Sequence, residues 1–546
     1  MIWQLLFLLL ARVAFAAWGY TETSDSYIID TGKGLVVTVS SENGDITSML
    51  YNGVEYNGYD GKNTQVESGL GASDVSITQY SDPYVIKVTV VYGTLKHYLL
   101  FRYGNNNVYI FTNKADDTVE VLRYIVRFPS DIFPHTTADS DYEASNTVVI
   151  EAQDINEDTS DGYTFSKHYS GYEYGRTIDY DYVGKTNGDV GMWIIRSNHE
   201  KASAGPFFRS LLRRGSDGGE DLYEIYYYSM GNTDVERFGL QGPTVLAFTD
   251  GGVPSSALYA RNADWSWFDD LGIDGWIPSS ERGYALGVGI SNTKSGYTYV
   301  VGFSNDDAQY WGTADSSNSY AWSIYNVLPG TYTLTVYKEE LEVYTGSITI
   351  TAGAGTAVHT ITAVDPEDDT AIWRIGDWDG TPAGFLNFGD TPMKPTYMHP
   401  SDTRLSSWDP SNFIVGTSSA SSFPGYMWVD INNNHIVYFK LTADQLALDH
   451  TIRIGLTEAY INGRPMISVN SWTSSVTAST GQASTRSLTV GTYRGNNVML
   501  SWDVPSSAFT QDADTWQVLT ITVISGSTGS EYLSAGISID CVDMLA

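Results

Sequence analysis

The sequence predicts an all-β protein made of several sandwich domains. Three observations carry this. Short runs rich in Val, Ile, Thr and Tyr recur along the chain, bounded by Gly, Asn, Asp or Ser, which is the punctuation of strands and turns. Amphipathic helical patterns of useful length are scarce. With 546 residues, the chain has room for about two to four domains.

Taken in order, residues 5–10 are apolar and lead to Ala14-Phe15-Ala16, a small-x-small pattern. This predicts a removed secretory signal over residues 1–16. The run is too short to span a bilayer comfortably. No basic residue precedes it and Arg12 follows it, so an N-terminal anchor is the alternative. Residues 17–268 form a large strand-rich block, with strands expected at 27–30, Leu35–Ser40, Tyr84–Tyr92 and 108–112. Ile86-Lys87-Val88-Thr89-Val90-Val91 alternates in part, as a half-buried sheet would. Residues 255–268 are the best candidate for a helix or an irregular segment. The stretch 269–280 leads into a second unit, residues 276–364, of fibronectin-III-like size. Within it, Leu328-Pro329-Gly330-Thr331-Tyr332-Thr333-Leu334 reads as a turn followed by a strand. Val364-Asp365-Pro366-Glu367-Asp368-Asp369 is an acidic, Pro-containing linker. Residues 371–546 form a last β-rich block of jelly-roll size. No repeat of fixed period interrupts this order.

Composition removes several classes. The formal net charge is −34, which excludes a nucleic-acid binder that works by neutralising phosphates. An aromatic content of 13% is too high for a disordered chain. A single Cys closes no bridge within the chain. Cys541 follows Ile537 and Ile539 at alternate positions, which predicts a buried filler on their face of a strand. No Asn-x-Ser/Thr sequon occurs, so no N-glycan is expected.

Many Tyr and Trp on a β scaffold suit sugar rings, whose C–H faces stack on aromatic planes, although sheets are rich in aromatics for other reasons. No phosphate-binding GxxxxGK[ST] loop, HExxH helix or EF-hand loop is present. The eight His are scattered without ligand spacing and read as structural groups. No cofactor is required by this pattern. The acidic stretch 154–161 is a candidate for a structural calcium, with solvated charge as the plainer reading.

Several motifs resemble a known family. Ile375-Gly376-Asp377-Trp378-Asp379-Gly380 and Met398-His399-Pro400-Ser401 resemble the C-terminal module of fungal-type rhamnogalacturonan lyases, polysaccharide lyase family 4. Asp307-Ala308-Gln309-Tyr310-Trp311 resembles the middle module. Gly205-Pro206-Phe207-Phe208-Arg209 and Gly239-Leu240-Gln241-Gly242-Pro243 resemble the catalytic one. The resemblance implies a galactose-mutarotase-like β-sandwich, then a fibronectin-III-like domain, then a carbohydrate-binding-like jelly roll. It also implies cleavage of the rhamnose–galacturonate bond of pectic rhamnogalacturonan I by β-elimination. Such chemistry needs a neutralised uronate carboxylate, a base for the C5 proton and assistance to the leaving oxygen.

By the same resemblance, Val121-Leu122-Arg123-Tyr124-Ile125-Val126-Arg127 carries two substrate-binding arginines, Arg123 and Arg127. Taken alone they read as surface charges; in a strand their even spacing puts both on one face. Lys167 matches the catalytic lysine, Tyr223 a tyrosine of the subsite wall, and Arg486 a substrate arginine of the last domain. Met230 stands where the family has its catalytic histidine, and a thioether is no acid or base. Tyr226 and Tyr228 are the candidate replacement acids. Two readings follow: a secreted, extracellular monomeric lyase, or a non-catalytic descendant that binds polysaccharide. Neither involves nucleic acid, nor a membrane once the signal is removed. A polyanionic substrate meets long-range repulsion from a chain of this charge, so its recognition needs Arg123, Arg127, Lys167 and Arg486 gathered in one place.

Overall fold

The computed structural model describes residues 18–129, 131–133, 146–151, 155–166, 181–202, 205–207, 211–216, 219–227, 235–260, 263–386, 410–482, 497–526, 529 and 534–546. Among the described residues the regular secondary structure is almost entirely β-strand. Among the described residues the single α-helix is Ala443–Leu446.

The N-terminal domain is a sandwich. Its larger sheet has seven strands, in the order Tyr182–Thr186, Gly191–Arg196, Gly239–Thr249, Asn107–Lys114, Leu95–Arg102, Tyr84–Tyr92 and Asp74–Ser81. A four-stranded sheet runs Leu211–Ser216, Gly219–Tyr227, Leu122–Pro129 and Gln65–Val66. Ile86, Val88, Leu99, Ile110, Val126, Phe128 and Leu222 meet in one buried cluster between them. Leu35–Ser40 alternates buried and half-buried residues, as a strand covered on one face should.

Tyr84–Tyr92 departs from the half-buried reading, because both of its faces are covered. Ile86 and Val88 enter the inter-sheet core, whereas Val85 packs outward with Tyr98, Phe111, Phe268, Leu271 and Ile273. The cover is the segment read as helical or irregular. Among its described residues it holds only the 3-10 turns Ser256–Leu258 and Ser266–Phe268, and its aromatics lie on the outer face of the sheet. Lys87 Nζ and Tyr80 Oη donate to the Leu271 carbonyl at 2.5 and 2.9 Å. Residues 269–275 are therefore fastened to the first domain.

In the middle domain, a four-stranded sheet runs Gln309–Thr313, Tyr299–Ser304, Gly330–Lys338 and Leu341–Ile350. It shares a core with the sheet Trp322–Val327, Gly283–Gly287 and Gly355–Val358, through residues such as Val301, Phe303, Trp322, Ile324 and Val336. The last domain pairs two five-stranded sheets over a core that includes Trp373, Phe439, Ile452, Leu519 and Ile539.

The domain junctions are closely packed. Arg282 Nη1 and Nη2 donate to the two oxygens of Glu200 at 2.6 and 3.2 Å, and Tyr310 Oη donates to Glu200 Oε2 at 2.7 Å. Arg237 donates to the Asn305 and Ala202 carbonyls at 3.0 and 2.9 Å. The acidic linker is tied down as well. Asp365 is buried and accepts from Lys338 Nζ at 2.6 Å, with both side chains fully buried.

Cys541 is fully buried, and burial pushes its thiol pKa well up. It does not share the face of Ile537 and Ile539, however. Those two belong to the core of the last domain, whereas Cys541 packs with Trp378 against the middle domain. The pairing register shifts between Ile454 and Leu456. A bulge of this kind interrupts the two-residue alternation, so the inward face resumes at Val542 and Met544.

Candidate active site

The strand Leu122–Pro129 pairs antiparallel with Gly219–Tyr227, setting Arg123 opposite Ile225, Ile125 opposite Tyr223 and Arg127 opposite Asp221. Directly opposed residues share a face, so Arg123, Ile125, Arg127, Asp221, Tyr223 and Ile225 form one surface of the small sheet. Tyr124, Val126 and Phe128 point the other way, into the sandwich.

The two arginines are spaced alike but situated differently. Arg127 is buried; its Nη1 donates to the Asn63 carbonyl at 2.5 Å and its Nε lies 3.7 Å from Asp221 Oδ1. Asp221 is buried too, and accepts from Tyr59 Oη at 2.8 Å and Tyr223 Oη at 3.0 Å. Arg127 is thus one corner of an internal network in which Tyr223, also buried, spends its hydroxyl on Asp221. The Arg123 side chain retains 20% exposure. Its Nε and Nη2 hold the Glu67 carboxylate at 2.6 and 3.1 Å, and its guanidinium lies 5.8 Å from the Tyr223 ring centroid. Nη1 makes no hydrogen bond to a described residue, so one edge of this fork remains available to an anion.

Glu67 and Asp221 are the members the sequence did not disclose. Asp221 was accessible in principle, since it stands two positions before Tyr223 and so on its face. Glu67 lies 56 residues from Arg123 in a left-handed backbone conformation, with φ of 50°, and no local pattern announces it.

Tyr226 lies on the opposite side, inside the sandwich, where its hydroxyl is hydrogen-bonded to Thr244 Oγ1. Burial first, and then the nearby Glu224 carboxylate, push its pKa well above the ordinary phenol value. Two buried ion pairs occupy the same interior, Lys185 with Glu220 and Arg196 with Glu224. Lys167, Tyr228, Met230 and Arg486 lie outside the described residues. Of the proposed substrate cluster, Arg123 and Arg127 are seen on one surface.

His97, His199 and His435 are structural groups. His97 is buried with Nδ1 2.9 Å from Thr112 Oγ1, and its ring stacks on Tyr124. His199 stacks on Trp311 with centroids 3.5 Å apart. Burial holds the pKa of each down to about 3, and that of His435 to about 4. Since an unfolded His titrates near 6.5, the unfolded chain takes up these protons first. The stabilisation is complete above that pH and is lost as pH falls towards 4, by about 1.4 kcal/mol per unit for each His. The melting temperature is accordingly expected to drop between pH 6.5 and 4.5, and less steeply in His97→Asn; equal slopes would overturn this. Among the described residues no group of three or more His, Cys, Asp or Glu is arranged to hold a metal ion. In the acidic stretch 154–161, Asp154 lies outside the described residues.

Three sequence profiles match in order. Residues 18–275 match "Rhamnogalacturonan lyase B, N-terminal", residues 281–358 "Polysaccharide lyase family 4, domain II", and residues 371–544 "Polysaccharide lyase family 4, domain III". Rhamnogalacturonate lyase A of Aspergillus aculeatus is 35% identical over 542 residues, covering 98% of this chain and 97% of that protein. Rhamnogalacturonate lyase A of Emericella nidulans is likewise 35% identical over 542 residues, with the same coverage. The probable rhamnogalacturonate lyase A of Aspergillus clavatus is 34% identical over 539 residues, at 98% and 97% coverage.

Proposed function

The chain belongs to polysaccharide lyase family 4, and from that membership we propose that it is a secreted rhamnogalacturonan lyase acting by β-elimination. The observation that carries this reading is the end-to-end match to proteins named rhamnogalacturonate lyase, at 35% identity over 98% of the chain.

In this reading Arg123 receives the uronate carboxylate on its open edge and disperses the charge that builds up as C5 is deprotonated. Lys167, in its neutral form, takes the C5 proton. The C5–H electron pair becomes the C4=C5 double bond, the C4–O bond breaks, and the leaving oxygen takes a proton. Because Tyr226 is committed to Thr244 inside the sandwich, Tyr228 is assigned the role of donor. Arg127 holds Asp221, Tyr59 and Tyr223 in register beneath Arg123, and Arg486 adds a contact from the last domain. Export by the segment 1–16 would bring the protein to its extracellular substrate. No helix of the described residues is long and apolar enough to cross a membrane.

Met230 favours a second reading, a descendant that binds the polymer without cleaving it. One assay separates the two. Incubation with rhamnogalacturonan I is expected to give rising ultraviolet absorbance from the unsaturated product. Binding of the polymer with no rise in absorbance would sink the lyase reading and establish the second. New reducing ends without absorbance would indicate hydrolysis and overturn both.

A further inference from the structure

The outer face of one sheet in the middle domain is left open. That sheet runs Trp322–Val327, Gly283–Gly287 and Gly355–Val358. Ala285, Trp322 and Ile324 turn inward to the domain core. Strand alternation then turns Tyr284, Leu286 and Tyr325 outward. All three are exposed, as is Val288 just beyond the central strand. A contiguous apolar group at the surface marks a contact site.

The two tyrosines are held in a defined arrangement. Their ring centroids lie 5.7 Å apart and their planes meet at 30°. The Tyr284 ring is laid across the neighbouring strand onto Gly355, the residue paired with it in register. A Cβ at Gly355 would meet Cε2, Cζ and Oη of that ring at 2.5, 2.5 and 2.7 Å. The Gly355 backbone is not in the left-handed region, so this glycine serves the ring and not a turn. Tyr325 is 59% exposed and Tyr284 38%. Neither phenol hydroxyl is hydrogen-bonded to a described residue.

Charge narrows the choice of occupant. The three strands contain no Asp, Glu, Lys or Arg, in a chain whose formal net charge is −34. A uronate-bearing polymer would find no cation on them. A second copy is the poorer partner, because two such chains repel. The exposed apolar side chains Tyr284, Leu286, Val288 and Tyr325 also fall far short of the about 20–30 residues a side in a stable interface. Exposed aromatic rings with free hydroxyls and no charge match a neutral pyranose chain. Its C–H faces stack on the rings while its hydroxyls bond to the phenol oxygens. An open sheet face, unlike a groove, can also lie against many chains packed side by side.

We infer that this face binds the surface of a neutral β-linked glucan such as cellulose, with Tyr284 and Tyr325 as the stacking platform and Leu286 and Val288 as its apolar margin. The site rests on the polysaccharide substrate class proposed above, but not on the elimination chemistry.

Depletion of the full chain from solution by microcrystalline cellulose tests this. Saturable binding is expected, and it should change little between about 0.1 and 1 M salt, since no charge takes part. Tyr325→Ala should weaken binding about tenfold, and Tyr284→Ala/Tyr325→Ala should abolish it. Tyr325→Trp keeps a stacking ring and should bind like wild type. Gly355→Ala retains both tyrosines but lifts the Tyr284 ring, and should weaken binding about threefold or more. These positions are exposed, so melting temperatures should stay near wild type. The absorbance rate on soluble rhamnogalacturonan I should be the same with and without the double substitution, which keeps failure here distinct from failure of the lyase reading. Absence of saturable binding to cellulose would overturn the proposal. So would binding indifferent to the double substitution, binding lost in salt, or a dimer in sedimentation that Tyr325→Ala splits.

Discussion

Replacing Lys167 with alanine is expected to slow the appearance of unsaturated uronate ends by about 10²- to 10⁴-fold, the usual contribution of a positioned general base. A lysine acts as a base only if its neutral form is accessible, which requires desolvation or nearby positive charge. In the proposed reading that charge is assigned to Arg123, one edge of whose guanidinium is open while Glu67 holds the other. Lys167→Arg should not rescue, since a guanidinium does not deprotonate in proteins. Arg123→Ala should cost about tenfold to a hundredfold in kcat/KM, the worth of one hydrogen bond to a charged group. Met230→Ala should leave the rate near wild type. Initial absorbance rates on rhamnogalacturonan I decide the matter, and an undiminished rate in Lys167→Ala would remove the proposed base.

Arg282→Met is expected to destabilise the fold by about 3–5 kcal/mol, the typical cost of removing one partner of a buried ion pair. Glu200 is buried, and Arg282 grips both of its oxygens while Tyr310 donates to one. Burial by itself raises the pKa of Glu200. Arg282 and Tyr310 outweigh that and hold it below the usual carboxylate value. A depressed folded pKa gives stabilisation that is present above the ordinary carboxylate pKa and lost as pH falls through the folded one. The deficit of Arg282→Met relative to wild type should therefore shrink in strong acid. The double variant Glu200→Gln/Arg282→Met should recover part of the loss, because no charge is then left buried alone. Melting curves across pH measure both effects. An Arg282→Met protein as stable as wild type near neutrality would show that this junction does not depend on the pair.

How far the site was legible depended on what each residue's partners were. Arg123 and Arg127 were readable as two charges on one face, because strand alternation needs only the local pattern. What separates them was not readable. Arg127 is buried against the Asn63 carbonyl and Asp221, whereas Arg123 is partly exposed with a single carboxylate partner. Tyr226 looked equivalent to other tyrosines nearby until the fold placed it against Thr244 in the interior.

The sequence by itself determined the all-β class, the strands Leu35–Ser40 and Tyr84–Tyr92, the order of the three modules and the family. These are carried by local alternation, turn residues and motif order, which survive without knowledge of contacts. Only the tertiary structure decided that Tyr84–Tyr92 is covered on both faces, that Cys541 turns away from Ile539, and that the acidic linker is anchored by Lys338. The reason is the same in each case. The outcome rests on a partner distant in the chain, such as Phe268 over the sheet, Gly455 at the register shift or Lys338 beneath Asp365, and periodicity along one strand carries no record of what another strand places opposite it.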